Sequence, residues 1–135
     1  MAVTSKDAEK IVEDILSAYD EILAISVMDM RGNTLAANSK EAFRESFRII
    51  EDRAKNSGIL AVAILSLVND IRNIFGAAKA IITIHENCKL MLLPLPSFQL
   101  LVGFVLQRSA NVEDNKIANE FEMLIADILN QSSNS

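Results

Sequence analysis

The sequence contains one cysteine, Cys88, and one histidine, His85, in 135 residues. A lone cysteine rules out an internal disulfide and fits a reducing compartment. A structural zinc site takes about four cysteine or histidine ligands, and this chain cannot supply them. Glycine is equally scarce: Gly32, Gly58, Gly76 and Gly103 are scattered and spell neither a phosphate loop nor a dinucleotide fingerprint. The chain is therefore not expected to be a GTPase itself. Positive charge is in the minority, with a formal net charge of −5. Nucleic-acid binding, which needs a basic stripe to displace counterions, is not expected, and an anionic membrane surface is disfavoured too. The longest apolar run, residues 59–65 and on past Ser66 to Val68, is about half of a membrane span, so no membrane insertion is expected. The N-terminal residues lack the apolar core of a signal peptide, and a cytoplasmic location is expected.

What is present suits a globule. Apolar residues make up 50% and charged residues 23%, enough for one domain over residues 1–135 with a core needing neither disulfide nor metal. Residues 131–135 read as a frayed polar tail. The first helix begins at Thr4 or Ser5, with Asp7 and Glu9 at its positive end. Its apolar positions are Ala8, Ile11, Val12, Ile15, Leu16 and Tyr19. Residues 22–30 follow as a strand, with Leu23, Ile25 and Val27 on one face and Ile22, Ala24 and Met28 on the other. Both faces are apolar, so the strand is expected to be central. Gly32 and Asn33 supply the positive φ of a hairpin turn, and the more polar residues 34–39 return as an edge strand.

Residues 40–56 carry Ala42, Phe43, Phe47, Ile50 and Ala54 at helical spacing, which predicts a short amphipathic helix. Residues 59–75 predict the second major helix, stopped by Gly76. Leu60, Ile64, Leu67, Val68, Ile71, Ile74 and Phe75 form its stripe, and Val62, Leu65, Ser66, Asn69 and Asn73 its far side. Its first half is apolar almost all round, so it is expected to be buried on two sides, one facing the chain's own sheet and the other a second subunit or a partner. Three strands close the sheet: 79–85, then 89–95 after a turn at Glu86-Asn87 and bounded by Pro94 and Pro96, then the apolar 98–106. The last helix starts near Asn111, with Glu113 and Asp114 in its first turn, and buries Ile117, Phe121, Leu124, Ile125 and Ile128. The order α-β-β-α-β-β-β-α predicts an α/β (α+β) domain. Its first and last strands lie side by side in an antiparallel sheet; the terminal helices share one face and the middle helix covers the other.

This pattern resembles the roadblock/LC7 family of the profilin-like class. The residues that carry the resemblance are Ile25 to Ala36, including Asp29-Met30-Arg31-Gly32-Asn33; the helix from Leu60-Ala61-Val62-Ala63-Ile64-Leu65 to Phe75-Gly76; and the strands around Leu92-Leu93-Pro94-Leu95 and Leu100 to Val105. The resemblance implies a three-layer sandwich on a five-stranded antiparallel sheet of order 2-1-5-4-3. It implies a homodimer in which middle helices pack together and third strands pair edge to edge. The dimer contacts would be Ala61, Val62, Leu65, Ser66 and Asn69 on the helix, and Ala80, Ile81, Ile82, Thr83 and Ile84 on the strand. It also implies a non-enzymatic scaffold or signalling regulator that binds a small Ras-like GTPase or joins a multiprotein assembly.

Read by their own chemistry, the remaining polar residues do not form a catalytic set. Asp29 precedes a turn glycine and has no second titrating group, so it reads as turn-forming. His85, Glu86 and Cys88 lie too close on one hairpin to converge on a substrate with an orienting third group. Arg44, Arg48, Arg53 and Lys55 sit among Glu41, Glu45, Glu51 and Asp52, the mixed charge of a solvated face. Arg44 and Arg48 are the candidates for contact with a partner, since an inserted arginine can act on a bound GTPase. No enzymatic activity and no cofactor are expected. The competing reading is a small-molecule sensor of the PAS, GAF or profilin-like kind. It requires a cavity with convergent polar groups, for which Ser26 and Thr83 are the main candidates.

Overall fold

The computed structural model describes residues 3–53, 66, 70–111 and 116–133. Helix α1 spans Ser5–Ala18. The Thr4 hydroxyl accepts the Asp7 N–H at 3.1 Å, and the Asp7 carboxylate accepts the Thr4 N–H at 3.2 Å. This reciprocal pair satisfies amides that the helix start leaves without partners. At the other end the Lys40 ammonium donates to the Tyr19 carbonyl, a cation against the negative pole of the helix.

Strands β1 (Ile22–Asp29) and β2 (Thr34–Ser39) form the first hairpin. At their turn the Asp29 carboxylate accepts the Arg31 N–H at 2.9 Å, the Asn33 N–H at 3.0 Å and the Asn33 side-chain amide at 3.1 Å. Partial burial pushes the Asp29 carboxyl up. The hydrogen bonds from Asn33 and Arg31, with the charge of Arg31, outweigh it and hold the group below its usual carboxylate value. Gly32 has φ 89°. Asn33, expected to share that conformation, keeps an ordinary φ because its side chain is committed to Asp29.

A 3-10 turn at Glu41–Phe43 leads into α2, Arg44–Arg53. Phe47 is buried, but Ala42 and Ile50 are exposed, so the expected apolar stripe is only partly covered. Of the expected helix at 59–75, residues 59–65 and 67–69 lie outside the described residues, as does Ala54 before it. Ser66 is helical and its carbonyl accepts the Asp70 N–H at 3.1 Å. The chain then leaves helical geometry at Ile71 (φ −99°, ψ 9°) and forms a separate single turn, α3, at Arg72–Phe75. The expectation of one helix running unbroken to Phe75 is thus corrected. Aspartate, as at Asp70, is a weak helix former. Gly76 does stop the segment, with φ 82°.

Strands β3 (Ile81–Ile84), β4 (Cys88–Leu95) and β5 (Leu100–Gln107) complete the sheet. A 3-10 turn at Pro96–Phe98 joins β4 to β5. Pro94 lies inside β4, opposite Leu101, but β3 reaches only Leu92; β4 has a single neighbour there and tolerates a missing donor. The strand order is β2-β1-β5-β4-β3 and every pairing is antiparallel. Helix α4 spans Lys116–Ser133; of the polar tail, residues 134–135 lie outside the described residues. Buried Ile128 and Leu129 anchor the last turns, and no glycine or proline interrupts them. Glu113, Asp114 and the side chain of Ile117 lie outside the described residues.

Both central strands are apolar on two sides. On the first face, Ile25, Val27, Val102, Phe104, Leu106, Met91 and Leu93 pack under α1 and α4. Phe121 of α4 stacks on Phe104 (centroids 4.6 Å) and meets Tyr19 edge-on (4.9 Å). Strict alternation would set Ile22 with Ala24 and Met28. A bulge at Leu23, where Ile22 opposes Leu106 and Ala24 opposes Val105, turns Ile22 onto the first face instead. On the second face Met28 and Leu101 form a smaller cluster with Met30, Ile81 and Leu92. The middle helix expected to cover that face falls largely outside the described residues.

Phe121→Ala empties the junction of α1, β5 and α4. It is expected to cost about 3–5 kcal/mol, measured by urea unfolding. Asp29→Ala removes the acceptor of the turn amides and is expected to cost about 1–2 kcal/mol at neutral pH. Because the folded pKa lies below the unfolded one, this contribution is present above the ordinary carboxylate pKa and disappears as pH falls through the lowered value. Unfolding curves of the two proteins therefore converge in acid.

Candidate functional site

The sheet has two edges, and β3 is the bare one. The His85 N–H donates to the Cys88 carbonyl at 2.9 Å, closing the two-residue turn Glu86-Asn87. Hydrogen bonding alternates along an antiparallel pair, so Ile81 and Thr83 also bond to β4. Ile82 and Ile84 then direct their N–H and C=O groups outward, where the sheet has no further strand among the described residues. Ile84 is 53% exposed. Ala80, Ile81 and Ile82 are half-buried and Thr83 is exposed. An accessible edge of isoleucines is a template for another strand.

A second apolar patch lies just upstream. Ile74 and Phe75 on α3 are 76% and 77% exposed and Ile71 is 43% exposed. All three belong to the stripe expected to pack on the chain's own sheet. Helical geometry is interrupted at Asp70–Ile71 just before them. Of the helix positions assigned to a dimer contact, Ser66 is exposed, while Ala61, Val62, Leu65 and Asn69 lie outside the described residues.

The third feature is an open groove of about 460 Å³ between α2 and the β3–β4 hairpin, lined by Phe43, Ile50, Leu90, Val105, His85, Glu86, Asn87 and Cys88. By spacing and residue type Phe43 is a core or interface position and Ile50 a helix-stripe position, and nothing in the sequence marks Leu90 or Val105 as surface residues. Their signal is hidden because both strands are apolar on both faces. Neither Ser26 nor Thr83 lines the groove. Arg44 and Arg48 are exposed on α2, one turn apart, and neither lines the groove.

His85 is exposed, and its Nε2 lies 2.9 Å from the Thr83 hydroxyl oxygen, so its partner is Thr83 rather than the Cys88 thiol. No group of three or more histidine, cysteine, aspartate or glutamate side chains could hold a metal ion among the described residues. No helix there is long and apolar enough to cross a membrane. The arrangement offers strand pairing and apolar contact.

No family model and no curated protein matches the sequence. Solved structures do match in shape. A roadblock/LC7 domain from Streptomyces avermitilis is 12% identical, with 93% of this chain and 97% of that chain covered and a TM-score of 0.67. MglB of Myxococcus xanthus is 7% identical, with 96% and 90% covered and a TM-score of 0.69. LokiProfilin1, solved in complex with rabbit actin, is 12% identical, with 97% and 99% covered and a TM-score of 0.54. With element order, strand order and near-complete coverage in agreement, the fold of this protein is that of the roadblock/LC7 domains.

Proposed function

We propose that this protein is a non-enzymatic, cytoplasmic homodimeric scaffold that regulates or recruits a small Ras-like GTPase, or seats one in a multiprotein assembly. The observation that carries the reading is the β3 edge, which no described strand pairs, beside the exposed Ile71, Ile74 and Phe75. Apolar surface and free strand groups together are the surface a second chain covers. The dimer contacts are Ala80, Ile81, Ile82, Thr83 and Ile84, with Ala61, Val62, Leu65, Ser66 and Asn69 from the segment before α3. The GTPase is what the roadblock/LC7 resemblance implies, and the fold shared with a roadblock/LC7 domain supports that resemblance. LokiProfilin1 with actin is a case in which this class of fold holds a protein partner. Arg44 and Arg48, exposed on α2, are the partner contacts. A small-molecule sensor stands second: the groove has polar groups at His85, Glu86 and Asn87, but it is open rather than enclosed. A ligand retained in native mass spectrometry would reverse that order.

Light scattering is expected to give a dimer at micromolar concentration, and a clean monomer overturns the dimer. Ile82→Pro removes an outward N–H that β4 does not use. It is expected to weaken self-association at least about tenfold, or 1.4 kcal/mol, while leaving the monomer fold intact by circular dichroism. The chain is also expected to bind a Ras-like GTPase of its own cell differently in the GTP-loaded and GDP-loaded states. Equal or absent binding across all such GTPases rejects the regulatory role.

A further inference from the structure

We propose that a second copy of this chain pairs antiparallel with β3 so that Thr83 lies on the two-fold axis, facing Thr83 of the partner subunit. The inference rests on the homodimer reading and adds its register. Two copies that extend one sheet are related by a two-fold axis normal to it. That rotation keeps every side chain on its own face of the sheet. Residues opposed across a strand pair also share a face, because side chains alternate along a strand. A residue can therefore oppose only one of the same parity, and the residue on the axis opposes its own copy. The midpoint of Ile81–Ile84 falls between Ile82 and Thr83 and is excluded as the axis. Ile82 and Thr83 themselves remain.

The free backbone groups decide between them. Ile82 and Ile84 carry the outward N–H and C=O groups. With Thr83 on the axis, Ile82 opposes Ile84 of the partner subunit, and the reverse, so every outward group within β3 is paired. The exposed Ile84 is then covered by an isoleucine. With Ile82 on the axis, Ile84 would oppose Ala80 of the partner subunit, a residue outside β3. Thr83 occupies a pair without mutual backbone bonds, where Cα atoms approach to about 4.5 Å. That places its hydroxyl and His85, joined at 2.9 Å, beside the axis.

The register is read by single cysteines placed in the full chain with Cys88→Ser. A Cα separation of about 4.5 Å lies inside the disulfide range, so Thr83→Cys is expected to run mostly as a covalent dimer on a non-reducing gel after mild oxidation. Ile82→Cys is expected to crosslink several-fold less, since it opposes residue 84. Light scattering of both proteins under reducing conditions accompanies the gel. Efficient crosslinking of Ile82→Cys but not Thr83→Cys moves the axis and overturns the register. No crosslinking by either, with a dimer still seen in solution, overturns β3 as the pairing strand. A monomer in solution overturns the homodimer reading itself.

Discussion

The antiparallel ladder between β1 and β5 is the constraint on which the other elements depend. It joins Ile22–Asp29 to Leu100–Gln107, so strands from opposite ends of the chain become the centre of the sheet. A central strand with two apolar faces must be covered twice. The helices flanking these strands in sequence, α1 before β1 and α4 after β5, are thereby brought side by side on one face. Tyr19, Phe104 and Phe121 meet at that junction. Tyr19 lies where burial, followed by the charges of Glu120 and Glu21, raises its phenol above the ordinary value. The neutral ring is the form that the packed junction favours.

The same ladder leaves β2 and β3 outside, and the two edges differ in chemistry. β2 exposes Thr34 and Asn38, its register against β1 shifts between Val27 and Met28, and α1 packs beside it. Polar side chains and an irregular register are how edges resist pairing. β3 is less guarded, with Thr83 as its one polar side chain. It is short and regular, it carries three isoleucines, and its neighbour in the chain is the exposed turn of α3. The asymmetry makes β3, of the two described edges, the one whose side chains are chiefly apolar.

On the second face, the described chemistry is that of contact surfaces. The groove gathers aromatic carbon from Phe43 in the 3-10 turn and aliphatic carbon from α2, β4 and β5, and places polar groups only along the hairpin rim. Lys89, buried on the opposite face of β4, is occupied in holding the connection after β5, where its ammonium donates to the Ala110 carbonyl at 2.5 Å. Polar groups inside the domain serve its closure: Lys40 finishes α1 and Asp29 shapes the first turn.

By itself the sequence determined the elements whose signals are local. Thr4 and Asp7 mark the start of α1, Gly32 the hairpin and Gly76 the end of α3, because capping and positive φ depend on a few neighbouring atoms. Apolar runs on both faces likewise marked β1 and β5 as central. Only the tertiary structure decided what depends on atoms distant along the chain. Ile22 changes face because a bulge forms against β5. Ile71, Ile74 and Phe75 keep helical spacing yet stand exposed. Phe43, Ile50, Leu90 and Val105, far apart in sequence, become the lining of one groove only in the folded chain. Periodicity reports that a side chain is apolar, and only packing decides whether its neighbours belong to the same molecule.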